Sequence, residues 1–251
     1  MVRGLGLFLQ HFSAFSDQYV LIGGAACDLA FDRAGASFRV TKDLDIVLCV
    51  EALTRPFADA LWSFVRAGGY RIQENASGRK QFYRFRNPAA NGYPIMLELF
   101  ARTPDVLDIR EDQHLAPIPV SEEILSLSAI LLDNCYYAWI LRGKVVLNGV
   151  PIVGPEYLIP LKVKAWLDLT VRKERGCQID GRDINKHKND VFRLAAIMDV
   201  AAVPDVPDQI RDDLRIFLVA MNDEAVDLRA LGLAKRQKTE VLSFLHTIYG
   251  V

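Results

Sequence analysis

No single sign of charge dominates this sequence. Its 30 Lys and Arg stand against 31 Asp and Glu, a formal net charge of −1 at pH 7. A strongly electrostatic nucleic-acid or membrane binder is therefore not indicated for the chain as a whole. Cysteine is scarce: Cys27, Cys49, Cys135 and Cys177 are irregularly spaced and form no C-x-x-C pair. That excludes the usual zinc and dithiol motifs. Cys27 and Cys49 sit in apolar context and read as buried thiols of a cytoplasmic protein in a reducing compartment. Long hydrophobic runs are missing too. The apolar stretch at Ile130–Leu141 is interrupted by Asp133 and Asn134 and is too short to span a bilayer, so no membrane association is expected. The apolar patch Leu5–Leu9 is broken by Gln10 and His11, and no cleavage site follows it. Neither an internal repeat nor a low-complexity segment occurs.

What is present is a core-forming composition, 51% hydrophobic over 251 residues, enough for one large or two modest domains. Charge is locally uneven. Residues 66–86 carry Arg66, Arg71, Arg79, Lys80, Arg84 and Arg86 against Glu74, and residues 162–193 carry nine Lys/Arg against five Asp/Glu. Such patches suit a phosphate-bearing ligand, although most of these residues taken singly read as solvated surface.

Apolar periodicity predicts helices over 4–16, Ala25–Phe31 and 54–67, the last ended by Gly68-Gly69. Strands are expected at Tyr19–Ile22, Val40–Val50 and Tyr70–Gln73, and Gln81–Arg86 and Ile95–Phe100 read as a hairpin. Ser121 caps an expected helix, and Asn148-Gly149 between two apolar runs signals a second hairpin over 145–153. Helical stretches follow at about 156–174, 186–199, 207–221 and 235–249. The layout is an α/β part over 1–115 and a mostly helical part over 116–251 that includes the short hairpin.

Two stretches carry chemistry. Val20-Leu-Ile-Gly23-Gly24-Ala-Ala is a strand breaking into a helix at two glycines, a ready phosphate site. Thr41-Lys-Asp43-Leu-Asp45-Ile-Val is a strand with carboxylates at i and i+2, hence on one face. Placing that pair among Leu44, Ile46, Val47 and Leu48 is costly unless a cation neutralises it. Glu98, in the apolar strand Ile95-Met-Leu-Glu-Leu-Phe100, is a third carboxylate. It either joins the pair or sits on the solvent side of a strand edge. Three converging carboxylates can hold two Mg²⁺ ions about 3.5–4 Å apart, with Mn²⁺ as a substitute. Asp43 and Asp45 then bind metal, and Glu98 binds metal or acts as base. Thr41 fits either a phosphate contact or ordinary β-propensity. Asp28 reads as a solvated helix residue, Arg79 and Lys80 as a mobile surface loop, and His187 as a surface or capping residue.

The order Gly23-Gly24, Asp43-Leu44-Asp45, Glu98 resembles the DNA polymerase β-type nucleotidyltransferase superfamily. The segment Gly149–Trp166, with a Pro155-Glu156 helix start before Lys162, is similar to AbiEii-like nucleotidyltransferases, and so is Lys186-His-Lys-Asn-Asp190. The resemblance covers about residues 19–195. It implies an α+β fold, a polymerase β-type core with a mixed β-sheet plus a C-terminal mostly helical domain. It implies an NTP donor, with Gly23, Gly24, Thr41 and Lys162 at the nucleotide. Lys162 contacts the triphosphate, and Asp190 acts as base or orients Lys162. Lys164 competes with Lys162 for that role. AbiEii-like members include toxins of toxin–antitoxin and phage-defence systems, and some act on tRNA. An RNA or protein acceptor and an antitoxin protein are the partners this implies. Two departures stand out: the gap from Gly24 to Asp43 is long for the superfamily, and Ala25 offers no hydroxyl beside the glycines. Two other functions compete with this one. The first is transfer to a small cationic acceptor of the aminoglycoside type, which an acidic cleft would favour. The second is a non-catalytic nucleotide-binding module, against which the joint presence of Asp43, Asp45, Glu98, Lys162 and Asp190 argues.

Overall fold

The computed structural model describes residues 2–49, 54–75, 82–100, 116–118, 133–198, 203 and 205–251. The expected cap at Ser121 and the basic residues Arg79 and Lys80 lie outside them. By internal contacts the chain divides into two units, Met1–Val120 with Leu141–Gly154, and Ser121–Ile140 with Pro155–Val251.

The first unit is built on one mixed sheet. Its strands are β1 (Tyr19–Ile22), β2 (Asp43–Leu48), β3 (Arg71–Asn75), β4 (Phe82–Arg86), β5 (Met96–Phe100), β6 (Ala116–Ile118), β7 (Lys144–Leu147) and β8 (Val150–Val153). They run in the order β6-β3-β4-β5-β2-β1-β8-β7. β2 is central, antiparallel to β1 and parallel to β5. It is apolar on both faces past Asp45, as a strand covered on both sides must be; Leu44, Ile46, Val47 and Leu48 are buried.

Among the described residues three helices belong to this unit: α1 (Leu5–His11), α2 (Gly23–Arg33) and α3 (Arg55–Gly68). Thr54 caps α3, accepting from the Phe57 amide, and Pro56 sits in its first turn. The Gln18 carboxamide oxygen accepts from the Thr54 amide and hydroxyl at 2.9 and 3.0 Å, tying that cap to β1. Phe57, Leu61, Phe64 and Val65 recur at helical spacing and are buried. Phe57 lies 5.6 Å from the Phe12 ring and Phe64 lies 5.7 Å from Phe8, while Trp62 meets Phe85 edge-on at 5.8 Å. These contacts seat α1 and α3 on the sheet face that carries Tyr19 and Phe85.

Three expectations shift. The first helix ends at His11, and a 3₁₀ turn over Ser13–Phe15 follows it. β2 begins at Asp43, not Val40, whose side chain is 87% exposed and has nothing to pack against. The hairpin over 145–153 was expected with the helical part; it supplies the last two strands of the first unit's sheet. Asn148 and Gly149 both take positive φ, 52° and 80°, as a two-residue hairpin turn of this hand requires. All four residues of β8 are buried, and it runs parallel beside β1, Leu21 opposite Ile152. An apolar strand with one open side is satisfied by that free edge.

Among the described residues four helices organise the second unit: α5 (Pro155–Glu174), α6 (Gly181–Ile197), α7 (Asp208–Asp223) and α8 (Lys238–Tyr249). They are preceded by α4 (Asn134–Arg142). α5 opens on Pro155-Glu156, a favoured start for a helix. α6 starts earlier than its apolar pattern suggested because Asp180 caps it, accepting from the Arg182 amide at 2.9 Å. Trp166 meets Phe217 edge-on at 5.2 Å, and the Tyr249 hydroxyl donates to the Glu156 carbonyl at 2.6 Å. Among the described residues no helix is long and apolar enough to cross a membrane.

Candidate active site

The β1–α2 junction comes first. Gly23 opens α2 with φ +63°, a conformation L side chains rarely adopt, and a Cβ there would overlap the Asp45 carboxylate. At Gly24 a Cβ would overlap the Thr41 side chain. The two glycines are thus required by close approach as well as by the turn. Ile22, at the N-cap, supplies no side-chain hydrogen bond to the first turn. That leaves a helix N-terminus, with its amide donors, directly beside Asp45. Thr41 precedes the strand, so strand alternation does not aim it. The connection folds back onto Gly24 and brings its hydroxyl there.

Register supplies the second part. Asp45 is opposite Glu98 across the parallel β2–β5 pair, and Glu98 is opposite Arg84 across the antiparallel β5–β4 pair. Directly opposed residues share a face, so Arg84, Glu98 and Asp45 form one row across three strands. Glu98 is therefore on an interior strand, 7% exposed, and is not a solvent-side edge carboxylate. The Arg84 Nε donates to Glu98 Oε1 at 2.7 Å, and Nη2 donates to the same oxygen. Asp45 is hydrogen-bonded to the same carboxyl group. The Glu98 carboxyl is raised to about 8: burial is the largest cause, the neighbouring Asp45 acts the same way, and Arg84 opposes both. Asp43, half-buried, lies one row away on this face, where its backbone neighbour is Met96.

The donor chemistry of this row fits a hard cation. Two carboxyl groups face each other beside one guanidinium, and the crowding that raises Glu98 is a cost that a divalent cation in place of the proton would relieve. Asp45 and Glu98 are the residues that would hold Mg²⁺ or Mn²⁺, with Asp43 nearest on the same face. Among the described residues no three His, Cys, Asp or Glu side chains gather into a metal-ligating group. The row thus brings Asp45 and Glu98 together, with Asp43 a step away.

The second unit holds the other two expected residues. Lys162 on α5 is 6% exposed, and its ammonium lies 3.2 Å from Oδ2 of Asp190 on α6, which is fully buried. Arg193 approaches Oδ1 of the same carboxylate at 3.5 Å. Lys164 points elsewhere: its ammonium meets both oxygens of Asp213, at 3.1 and 2.9 Å, and Asp213 also accepts from the Tyr136 hydroxyl at 2.7 Å. Of the two lysines, Lys162 is therefore the one paired with Asp190. His187, expected at the surface, is 8% exposed.

Sequence reasoning missed Arg84 as the partner of Glu98, having read it as part of a basic patch. A signal was there: in the hairpin joining β4 and β5, counting back from the Arg86–Met96 pair puts Arg84 opposite Glu98. Asp213 was missed too, because nothing in a long amphipathic helix marks which lysine elsewhere it will meet.

A scan against protein-family models finds no match, and comparison with curated proteins finds none. Among solved structures, the chain is similar to an antigenic nucleotidyltransferase-like protein from Paracoccidioides brasiliensis, with a TM-score of 0.44 and 19% identity over 94% of each chain.

Proposed function

We propose that this protein is a metal-dependent nucleotidyltransferase that moves a nucleoside monophosphate from an NTP to a hydroxyl acceptor. The observation that carries the reading is the packing of Gly23, at the start of α2, against Asp45, which is itself beside Glu98. It puts amide donors for a phosphate and carboxylates for a cation side by side. In the reaction the acceptor oxygen bonds to the α-phosphorus, the bond to the bridging oxygen breaks, and pyrophosphate leaves. A bound Mg²⁺ supplies charge neutralisation for the triphosphate and a lowered pKa for the acceptor hydroxyl. The chain's own part is to hold the triphosphate on the Gly23-Gly24 amides and to hold the cation on Asp45 and Glu98, with Asp43 beside them. Thr41 adds a hydroxyl at Gly24. In the second unit, the Lys162–Asp190 contact favours Asp190 as the group that orients Lys162.

The finer reading is an AbiEii-like enzyme acting on RNA, tRNA above all, or on protein, with a toxin role and an antitoxin partner. It rests on the Pro155-Glu156 start before Lys162 and on Asp190. One observation favours the second reading, a small cationic acceptor: a cavity of about 210 Å³ beside α2, lined by Asp28, Asp32 and the Phe38 ring among others. Two carboxylates suit an ammonium group, while the Phe38 ring already has the Arg39 guanidinium 5.1 Å from its centroid.

The test is incubation of the protein with each α-labelled NTP, Mg²⁺ and total cellular RNA or protein, followed by gel analysis, with an aminoglycoside arm resolved by chromatography. Label transferred to a macromolecule, and lost with Asp45→Asn, supports the first reading; label on the drug supports the second. No transfer with any donor in any arm overturns the enzyme assignment.

A further inference from the structure

Arg84 is the one member of the row that the proposed chemistry leaves without a role. It is 14% exposed at the side chain, and two of its guanidinium nitrogens donate to a single oxygen of Glu98. The geometry is not the side-by-side fork that an arginine makes with both oxygens of a carboxylate. It places one positive charge against the buried end of a pair of carboxyl groups.

Resting on the metal-binding reading above, we propose that Arg84 is an internal counter-ion. It substitutes for the metal at Glu98 while the site is metal-free, and it sets how tightly the metal binds. The argument is electrostatic. Two carboxylates in one half-buried row are costly without a compensating charge. Arg84 supplies one positive charge, enough to hold Glu98 in its rotamer but less than the two carboxylates call for once both are ionised. A divalent cation entering between Asp45 and Glu98 meets two attractive charges and one repulsive one. Arg84 therefore weakens metal binding and stabilises the metal-free fold, two effects of opposite sign from one side chain. This makes Arg84 a positioning residue: it acts through Glu98.

The test compares wild type, Arg84→Gln and Arg84→Lys by Mn²⁺ titration calorimetry and by thermal melting with and without Mn²⁺. At a pH above about 8, where Glu98 is ionised, Arg84→Gln is expected to bind Mn²⁺ roughly tenfold or more tightly than wild type. Its metal-free melting temperature is expected to fall and to recover on adding Mn²⁺. Arg84→Lys keeps the charge and is expected to stay near wild type in both. Should Arg84→Gln fail to fold without metal, folding on Mn²⁺ addition, read by circular dichroism, supports the proposal, and failure in both conditions overturns it. Equal or weaker Mn²⁺ binding by Arg84→Gln overturns it while leaving the metal site standing, and so does an Arg84→Lys protein that behaves like Arg84→Gln. Absence of Mn²⁺ binding in all three proteins overturns the metal reading itself, and the proposal with it.

Discussion

The two units each hold a charged cluster, and the two are built in opposite senses. In the first, two carboxylates, Asp45 and Glu98, face one guanidinium, Arg84, and the place is only half closed. In the second, one carboxylate, Asp190, is fully buried and faces two cations, Lys162 and Arg193. Carboxyl groups outnumber the cation in the first set of contacts, and cations outnumber the carboxylate in the second. A cluster with excess carboxylate suits a metal ion, and one with excess cation suits an anion. The comparison also separates stability from function. A fully buried, doubly engaged carboxylate holds structure together, whereas a row of like charges is a local cost that a ligand can relieve.

The sharpest way to break the comparison is to remove the buried carboxylate. Asp190→Ala leaves Lys162 buried without its partner and is expected to cost about 3–5 kcal/mol in urea unfolding. A loss below about 1 kcal/mol would mean that the second cluster is not structural. At the first cluster the signs should separate. Asp45→Asn is expected to reduce nucleotidyl transfer by on the order of 10³-fold, several kcal/mol of transition-state stabilisation. Above about pH 8, where Glu98 is ionised as well, the same change is expected to raise metal-free stability, because it removes one of two like charges. An Asp45→Asn protein that is both active and less stable would erase the contrast. Gly23→Ala comes next: a left-handed backbone costs roughly 1–2 kcal/mol for an L residue, and the added methyl meets the Asp45 carboxylate. Melting should report that loss together with a weakened affinity for NTP.

Much of this was legible in the sequence, and for identifiable reasons. β1 matches its expected span because four consecutive apolar residues end at a glycine pair. Glu98 was visible as a lone charge in an apolar strand, and Asn148-Gly149 marked its own turn. What could not be read was adjacency. That β5 lies beside β2, and that β8 adds to β1, depends on long-range strand pairing, which leaves no trace in local periodicity. The Arg84–Glu98 pair needed the hairpin register, and the short span of β2 needed the knowledge that Thr41 turns back onto Gly24. Asp190 could be suspected from its motif, but its complete burial depends on tertiary packing.

A pH dependence sharpens the same contrast. The Glu98 carboxyl is raised from an ordinary 4.5 to about 8, by burial first and then by Asp45. Between those values the folded chain holds a proton that the unfolded chain has released. Metal-free stability should therefore fall as pH rises from 4.5 towards 8 and level off above it. Urea melts across that range measure the slope, and Glu98→Gln should flatten it. A slope unchanged in Glu98→Gln would remove the contrast on this point.

One measurement bears most directly on the central claim, that Asp45 and Glu98 form a divalent-cation site beside the Gly23-Gly24 helix start. It is Mn²⁺ titration of the purified protein followed by electron paramagnetic resonance, repeated with Asp45→Asn and Asp190→Asn. The account predicts Mn²⁺ binding by wild type, loss of that binding in Asp45→Asn, and its retention in any Asp190→Asn protein that folds. Binding that survives Asp45→Asn unchanged, or no binding by wild type, would contradict it.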